Sequence, residues 1–566
     1  MPDSSQHTQQ SIHLLAQQYF AFLAERFPVM CASDEFYFMP RAEEAYRFYA
    51  QMDDLDKGAI DECIRRLRGF EGEINLWFEK PVFRGIGRGQ ATGTSLSVLD
   101  NYIDLVLLKS SVSALLIEIE ENRSWMRNPL LYLKIGLIGI DHALHKPATN
   151  HGEVERRACN RLESLPTLLA QARQNLNEVQ LPYHRASFDM IDDCVAYLEE
   201  IASHTTDQRR FSEALQKAVD SLAVFRIHME NSVLPRDSGS VNAVLEKTLR
   251  DHFRFSGTVS DVFRIARGQW DENLRLLGEI ERQSNSGLTW RELYSSYMPR
   301  GIDTKETLIL YREENRRLRS FFKSRGFSES EVNAPLRITP TPLYLQSVRG
   351  SASFSAAFSR DPREESLFYI TTKLPDKGAA GSLRTRLHRE YRFLTAHETF
   401  PGHHLLDHTR RNIENPVRRQ IELPLFYEGW ASYAESLLLE CGYVSDPLER
   451  LVLHKRNLWR AARCLVDVGL SAGFMDSAES QQLLESAGFS AQEAASQIRR
   501  FRLNPGYQLS YSLGSHEILK LRESCDKLLT NDRFHRMLLE GGELPFSLIG
   551  AKLQYFLRSG PEMSEP

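Results

Sequence analysis

The chain has 566 residues, with 70 Lys and Arg against 75 Asp and Glu, which gives a formal net charge of −5. This near balance excludes the strong positive field of a nucleic-acid-binding protein, so we expect no nucleic-acid partner. No run of 18 or more apolar residues occurs, which excludes a membrane-spanning helix. The seven cysteines show no CxxC spacing and the first residues show no secretory signal pattern, so we expect a cytoplasmic protein. The oligomeric state is left open.

The first part of the chain is predicted to be helical. Amphipathic windows separated by short polar breaks follow one another from residue 11 to 325, as in helices that bury one face. We expect residues 1–330 to form a helical region that makes one wall of a cleft. The clearest predicted helices cover residues 95–121, 154–177, 187–204 and 208–232, and a loop is predicted at 237–241.

The pattern changes between residues 333 and 372, where β-branched and aromatic residues partly alternate and Pro or Gly bounds each run. These runs predict two or three short strands, and the free edge of such a sheet could pair with an extended peptide. Helical periodicity resumes at residue 381 and continues towards the end. The sequence therefore predicts a large, mainly α protein with a small β-sheet, in which 331–566 is a second region with strands at 333–372 and helices at 381–566.

Residues 397–404 read HETFPGHH and are the most informative stretch of the chain. The stretch is a variant of HExxH, in which two His at i and i+4 share one helix face and bind one metal, with the Glu as general base. Here the i+4 position is Pro401, which has no ligating atom and disrupts a helix. We therefore predict that His397 is a metal ligand and Glu398 the general base, on a helix that is distorted.

Two residues compete to be the second ligand. In a straight helix His404 would lie about 340° round from His397 but roughly 10.5 Å along the axis, so a straight helix favours His404. A bulge at Pro401 and Gly402 would instead bring His403 to the place of a normal i+4 ligand. We favour His403, because Pro401 disfavours a straight helix.

The third ligand is predicted from residues 426–435, which read FYEGWASYAE. A catalytic zinc commonly takes two His and one Glu and keeps one position open. Glu428, in the first turns of the predicted helix, is the candidate. Glu435 lies at i+7 on nearly the same face and is predicted to accept the second N–H of a ligating His. Asp407, four residues after His403, competes for that supporting role.

These motifs resemble known families. EGWASYAE is similar to the NEGFA-type segment of the gluzincin zinc metallopeptidases, where the Glu is the third zinc ligand. Both motifs together resemble a bacterial family of unknown function with the signatures HExxPGHH and EGWAxYxE, and the likeness continues through residues 463–470 and 505–511. The chain departs from that family at Ser471, where the family often has His, and at Tyr507 and Gln508, where it tends to have Gln-Ala.

The ligand set and the resemblance imply one zinc per chain as cofactor. A zinc-bound water loses a proton more easily than bulk water, and the metal polarises a substrate carbonyl. Glu398 would accept the water proton and pass it to the leaving amine. In similar gluzincins a later Tyr or His stabilises the oxyanion. The resemblance implies Tyr511 in this role, with His516 as the second candidate.

The leading hypothesis is a zinc metallopeptidase that cleaves short peptides. An Arg near the cleft could pair with a substrate carboxylate, and Arg500 and Arg522 are the candidates. The same motifs also suit an amidohydrolase or esterase that acts on a small non-peptide molecule, because HETFPGHH does not distinguish one amide from another. A third hypothesis is a helical binding protein with a vestigial site, and the presence of bound zinc would argue against it.

Overall fold

The structure is a computed structural model that describes residues 3–86, 95–204, 209–234, 241–302, 304–372, 377–525 and 528–559. It is mainly helical with one small sheet, as predicted. The predicted loop at 237–241 lies outside the described residues except for Val241, which begins a helix. Among the described residues, no helix has both the length and the apolar composition that crossing a membrane requires.

The first region contains fourteen labelled helices within the described ranges. They are α1 (Asp3–Arg26), α2 (Lys57–Phe78), α3 (Pro81–Arg84), α4 (Leu96–Leu116), α5 (Ser124–Arg127), α6 (Pro129–His145), α7 (His151–Asn175), α8 (Leu181–His204), α9 (Arg209–Glu230), α10 (Val241–Lys247), α11 (Val259–Ser284), α12 (Trp290–Ser296), α13 (Thr307–Lys323) and α14 (Glu329–Val332). The four clearest predicted helices correspond to α4, α7, α8 and α9. Helix α4 continues as a π-helical segment, Ile117–Asn122.

The second region begins with the strands and continues with helices. The strands are β1 (Leu336–Pro340), β2 (Ala352–Ser355) and β3 (Ser366–Ile370). The helices are α15 (Lys377–Glu398), α16 (His403–Arg411), α17 (Pro416–Gln420), α18 (Pro424–Glu440), α19 (Pro447–Ala472), α20 (Ser477–Ser486), α21 (Ala491–Phe501), α22 (Leu509–Cys525), α23 (Asn531–Glu540) and α24 (Phe546–Ser559).

The three strands form one sheet in the order β1-β3-β2. Strand β1 is parallel to β3, with Leu336 opposite Ser366, and β2 is antiparallel to β3, with Ala352 opposite Ile370. A small apolar cluster packs the sheet against α13 and α15. The sheet therefore lies directly beside the helix that carries His397 and leaves β2 at its edge.

One apolar core extends through both predicted regions. It runs from Ile12 in α1 to Leu553 in α24 and includes residues of the motif helices. Buried charges also join the two regions, because Arg41 forms an ion pair with Asp407 at 2.7 Å. Loss of one partner would leave the other charge buried and unpaired, which is strongly destabilising. The boundary at residue 330 remains a prediction.

Helix α19 is the longest helix beside the cleft, and its ends are well defined. Asp446 accepts the N–H of Leu448 at the start, and Pro447 occupies the first turn, where its missing N–H costs nothing. Gly473, with φ of 73°, ends the helix in the left-handed conformation. These two caps hold a rigid helix whose inner face supplies several residues of the site.

Two glycines allow α18 and α22 to pack with their backbones in contact. A Cβ atom on Gly514 would lie 1.9 Å from the carbonyl oxygen of Leu425 and 2.7 Å from Cα of Gly429. A Cβ atom on Gly429 would lie 2.6 Å from Cα of Gly514. No larger residue fits at either position, so this crossing sets the distance between the helix that carries Glu428 and the helix that carries Tyr511.

We expect Gly514→Ala to lower the free energy of unfolding by about 3 kcal/mol, because the added methyl group must push the two helices apart. Gly268→Ala is the matched control, since Gly268 is an exposed helical glycine and a Cβ atom there would meet no other atom within 4 Å. That control should be neutral or stabilising by up to about 1 kcal/mol. Denaturant unfolding of both variants tests this, and equal stability of Gly514→Ala and wild type would contradict the close packing.

Candidate metal centre

The HETFPGHH stretch does not continue as one helix. Helix α15 ends at Glu398, and α16 begins at His403 after a turn that contains a cis peptide bond between Phe400 and Pro401. The N–H of His404 bonds to the carbonyl oxygen of Thr399 at 3.1 Å, which closes the turn. The predicted bulge is therefore a complete break, and it turns the first residue of α16 back towards the end of α15.

Gly402 is required at this break. Its N–H bonds to the carbonyl oxygen of Ala396 at 2.9 Å. A Cβ atom on Gly402 would lie 2.0 Å from the carbonyl oxygen of His397 and 2.4 Å from that of Ala396. Helix α18 holds the same turn from outside, because Nε1 of Trp430 donates to the carbonyl oxygen of Pro401 at 2.9 Å.

The structure brings the three predicted ligands together. The candidate ligand atoms of His397, His403 and Glu428 all lie within 4.8 Å of one another, and all three side chains are buried. Oε2 of Glu428 lies 3.4 Å from Nε2 of His403 and 3.6 Å from Nε2 of His397. Among the described residues this buried oxygen has no hydrogen-bond partner of good geometry. Two imidazole nitrogens and a carboxylate oxygen converging in this way fit one zinc ion.

The electrostatics of Glu428 agree with that fit. Burial alone would raise the pKa of Glu428, but the neighbouring His397 and His403 side chains hold the pKa well below its usual value. The two imidazole rings meet edge to face at 4.8 Å between centroids. The carboxylate is therefore ionised when the site is ready to bind a cation.

His404 lies outside this cluster. Its Nε2 lies 3.2 Å from the carbonyl oxygen of Ala334, and burial lowers the pKa of its ring to about 3. His404 could have been the second ligand only if residues 397–404 formed one straight helix. The break at Gly402 removes that geometry and puts His403 with the other two candidate ligands.

Glu435 contacts the first candidate ligand, in the position predicted for a partner of a ligating His. Its Oε1 lies 3.1 Å from Nδ1 of His397, so the imidazole can donate its second N–H there and direct Nε2 at the metal position. Arg456 donates to Glu435 at 2.7 and 2.8 Å, and Arg460 donates at 3.1 Å. Burial would raise the pKa of Glu435, but the two guanidinium groups hold the pKa well below its usual value.

Asp407 does not accept the second N–H of a candidate ligand His, so the prediction that it competes with Glu435 for this role is wrong. It forms ion pairs with Arg41 at 2.7 Å and with Arg410 at 2.6 Å, and no hydrogen bond joins it to a His ring among the described residues. The spacing of four residues from His403 suggested a contact along the helix. Two full positive charges in a buried place compete better for the carboxylate than a neutral imidazole does.

Glu398 is buried beside the first ligand, with 6% of its surface exposed, and it lines the cleft. Burial raises the pKa of its carboxyl group, while the neighbouring His397 and His403 oppose that rise. A carboxylate with a raised pKa exchanges protons more readily near neutral pH. The side chain is therefore suited to the predicted role of general base.

Two tyrosines from the 505–511 segment face the ligands. The hydroxyl of Tyr507 donates to Oε1 of Glu428 at 2.7 Å. The ring of Tyr511 is nearly parallel to that of His397, with centroids 6.3 Å apart, and the guanidinium of Arg463 lies 4.0 Å from the centre of the Tyr511 ring. Burial raises the pKa of both phenols, so both remain proton donors. His516 does not line the cleft.

Sequence reasoning missed Tyr507 and the residue that positions it. Asp467 accepts the N–H of Gly506 and the N–H of Gln508, each at 2.8 Å, and so fixes the backbone on both sides of Tyr507. The signals were present in the sequence, because Asp467 lies in the 463–470 motif and Tyr507 is a departure from the family pattern. Nothing in the spacing indicated that the two segments touch.

The cleft has two lobes that both reach His397, Glu398 and Tyr511, while His403 and Glu428 line the first lobe. The first lobe has a volume of about 200 Å³ and is lined by residues of both regions, including Tyr37, Phe354 and Tyr427. The second has a volume of about 150 Å³ and lies between α15, α19 and α21. Arg500 lines both lobes, as expected for a substrate-binding residue.

Arg522 lies elsewhere, and this corrects its predicted role. It donates to the hydroxyl of Tyr433 at 2.8 Å and forms an ion pair with Glu440 at 2.8 Å. It lies three helical turns beyond Tyr511 on α22 and lines neither lobe of the cleft. Its charge is used to join α22 to α18.

We expect His403→Ala to lose stoichiometric zinc and His404→Gln to keep about one zinc per chain, because only His403 directs a nitrogen at the other two ligands. Inductively coupled plasma mass spectrometry of the purified variants, after zinc is supplied and excess removed, tests this. Circular dichroism of each variant controls for folding. Loss of zinc in His404→Gln with retention in His403→Ala would contradict the assignment.

Two solved structures share the fold over nearly the whole chain. One is described as a putative lipoprotein of unknown function from Shewanella oneidensis, with 18% identity, a TM-score of 0.65, and coverage of 90% of this chain and 94% of that chain. The other is described as a putative lipoprotein from Colwellia psychrerythraea, with 16% identity, a TM-score of 0.69, and coverage of 98% and 100%. At these identities the likeness establishes the fold.

These neighbours contradict the expectation of a cytoplasmic protein, which was wrong. Both are described as putative lipoproteins, a class held at a membrane by covalently attached lipid chains. A lipid anchor is attached outside the packed core. Helical periodicity and metal-ligand spacing therefore carry no information about it.

A comparison with curated proteins finds no significant match. The model of one family matches residues 42–553, which include both motifs and the whole candidate metal centre. Its description is a bacterial protein of unknown function, in agreement with the resemblance of the two motifs. The chain therefore belongs to the bacterial family of unknown function DUF885.

Proposed function

We propose that this protein is a zinc-dependent hydrolase, and that it is a metallopeptidase of the gluzincin type that cleaves short peptides. The observation that carries the proposal is the convergence of His397, His403 and Glu428 at the floor of a cleft, with Glu398 beside them. Two imidazoles and one carboxylate form the ligand set of many catalytic zinc sites, which keep a position open for water or substrate.

Zinc, when bound, would polarise a substrate carbonyl and favour deprotonation of water. The chain's own residues supply the rest of the chemistry. Glu398 would accept the proton of the attacking water and return it to the leaving amine. Glu435 would keep the imidazole of His397 in the tautomer that directs Nε2 at the metal position, and Arg456 and Arg460 would keep Glu435 ionised.

The two tyrosines support different roles. Tyr507 is already bonded to Glu428, so it would hold that ligand in position. Tyr511 lies at the junction of the two lobes and would donate its hydroxyl to the developing oxyanion. Arg463, which lies over the Tyr511 ring, would favour that phenol as a donor by placing positive charge beside it.

The edge of the sheet supports a peptide as substrate. Thr371 donates its N–H to the carbonyl oxygen of Ser351 at 2.9 Å, so the odd-numbered residues of this antiparallel pair bond across to β3. The backbone groups of Ala352 and Phe354 then point away from β3, and both residues line the cleft. An extended peptide could add to this edge as a further strand and present its carbonyls to the metal centre.

The enclosure of the cleft supports short substrates. Residues of the first region, such as Asp34 and Tyr37, face the metal-site helices across the first lobe. By analogy with helical gluzincin oligopeptidases, such walls would admit a short peptide and exclude a folded protein. The neighbours described as putative lipoproteins support an envelope-associated location, where such an enzyme would meet peptides released outside the cytoplasm.

We expect Glu398→Gln to keep its zinc and to lose peptide cleavage by about 10²–10⁴-fold, because the amide cannot accept the water proton. Glu414→Gln is the matched control, since the Glu414 side chain is 91% exposed and lies outside the cleft. A peptide library digested by each variant and read by mass spectrometry tests this. Zinc without peptide cleavage in wild type would favour the non-peptide hydrolase, and absence of zinc would revive the binding-protein hypothesis.

We expect Tyr511→Phe to affect catalysis and Tyr507→Phe to affect zinc binding. Loss of the Tyr511 hydroxyl should lower kcat by about 10²–10³-fold with little change in KM or zinc affinity, because it acts in the transition state. Loss of the Tyr507 hydroxyl should weaken zinc binding by about 10–100-fold, because it releases a ligand. Steady-state kinetics and chelator competition measure the two effects. The reverse pattern would exchange the two roles.

A further inference from the structure

We propose that the second lobe of the cleft is an anion subsite, in which Arg386 and Arg500 bind a carboxylate of the substrate. The lobe has a volume of about 150 Å³ and shares His397, Glu398 and Tyr511 with the candidate metal centre. It therefore opens directly onto the position where a bond would be cleaved. The inference rests on the proposed hydrolase function and specifies its substrate class.

The lining of this lobe has an excess of positive charge. Two carboxylates line it, Glu390 and Glu398. Six cations line it, namely Arg386, Lys455, Arg456, Arg460, Arg463 and Arg500. A concave wall of one sign concentrates ligands of the opposite sign, because the low-dielectric protein around it focuses the field.

Four of the six cations already have partners. Arg456 and Arg460 bind Glu435, and Arg456 also donates to Glu390 at 2.5 Å. Nζ of Lys455 lies 4.8 Å from the ring centres of both Tyr294 and Phe489. Arg463 donates to Oε1 of Gln508 at 3.0 Å.

The other two cations have no such partner. Among the described residues, neither the Arg386 side chain nor the Arg500 side chain makes a hydrogen bond or an ion pair. The guanidinium of Arg500 lies against Gly350, where a Cβ atom would be 2.5 Å from Nη1. A side chain at position 350 would occupy the space of this guanidinium, so the glycine admits it to the start of the edge strand β2.

The position of Arg386 sets how far the anion lies from the metal centre. Arg386 precedes His397 by 11 residues on α15 and so lies on the same helix face, about 16 Å away along the axis. An extended peptide advances about 3.3–3.6 Å per residue. A carboxylate held by these side chains therefore lies within a few residues of the cleaved bond.

The first lobe shows the contrast. Its acidic side chains are neutralised within the protein, since Glu35 pairs with Lys134 and Arg349, each at 2.8 Å, and Glu422 pairs with Arg41. Arg500 lines this lobe as well, but five carboxylates face four cations there, and Arg386 lines only the second lobe. The two sides of the metal centre therefore differ, and a substrate with one anionic end would bind in a single direction.

The chemistry that fits two unpaired guanidinium groups is a carboxylate, which each can bind with two parallel hydrogen bonds. A peptide offers this group at its C-terminus or on an Asp or Glu side chain. The two sources are separated by four versions of one short peptide. These carry a free acid or an amide at the C-terminus, and Glu or Gln at the penultimate position.

Binding of these peptides is measured by calorimetry on zinc-loaded Glu398→Gln, in which cleavage is blocked. We expect one free carboxylate to strengthen binding by about 10–100-fold over the doubly neutral peptide, and Arg500→Gln or Arg386→Gln to remove that gain. Arg499→Gln is the matched control, because Arg499 is exposed like Arg500 and adjacent to it but does not line the lobe. Its affinities should equal those of the parent.

The outcomes separate this inference from the proposed function. Equal affinity for all four peptides, or equal losses in Arg499→Gln and Arg500→Gln, overturns the anion subsite even if wild type cleaves peptides. A carboxylate preference that Arg500→Gln abolishes supports the subsite even if wild type cleaves none of them, in which case only the peptidase proposal fails. Steady-state kinetics compare wild type with Arg500→Gln, both with Glu398 intact. We expect the substitution to raise KM for acidic peptides and to leave kcat unchanged.

Discussion

The contact of Gly402 with the last carbonyl groups of α15 is the constraint on which the metal centre depends. A proline at the usual ligand position would ordinarily send the chain away from the helix end. Because Gly402 has no side chain, the backbone instead folds back against the carbonyl oxygens of Ala396 and His397. Helix α16 then starts with His403 beside His397, and Trp430 fastens the turn to the helix that carries the third candidate ligand.

Around this turn, buried charged side chains form a connected set of ion pairs behind the candidate ligands. Glu435 joins His397 to Arg456 and Arg460, so the orientation of an imidazole depends on guanidinium groups of another helix. Buried ions are tolerated only when they are paired and hydrogen-bonded. Behind the candidate ligands these charges are paired, whereas Arg386 and Arg500 in the second lobe have no ion-pair partner among the described residues. The paired charges hold the candidate ligands in place, and the unpaired ones form the proposed anion subsite.

Local patterns predicted much of this site. Helix periodicity, the geometry of proline and the HExxH spacing are properties of short segments, so His397, Glu398, His403 and Glu428 could be chosen from the sequence. The errors concern distant contacts. Asp407 is taken by Arg41, which is 366 positions away, and the Tyr507–Glu428 bond spans 79 positions. The helix crossing at Gly514 leaves no periodic signal in the sequence.

The central claim is that His397, His403 and Glu428 hold one zinc ion. X-ray diffraction from zinc-loaded crystals, recorded at energies just above and just below the zinc absorption edge, tests it most directly. The account predicts one anomalous peak, about 2.0–2.2 Å from Nε2 of each histidine and from an oxygen of Glu428. A peak at other residues, or none after zinc has been supplied, would contradict it.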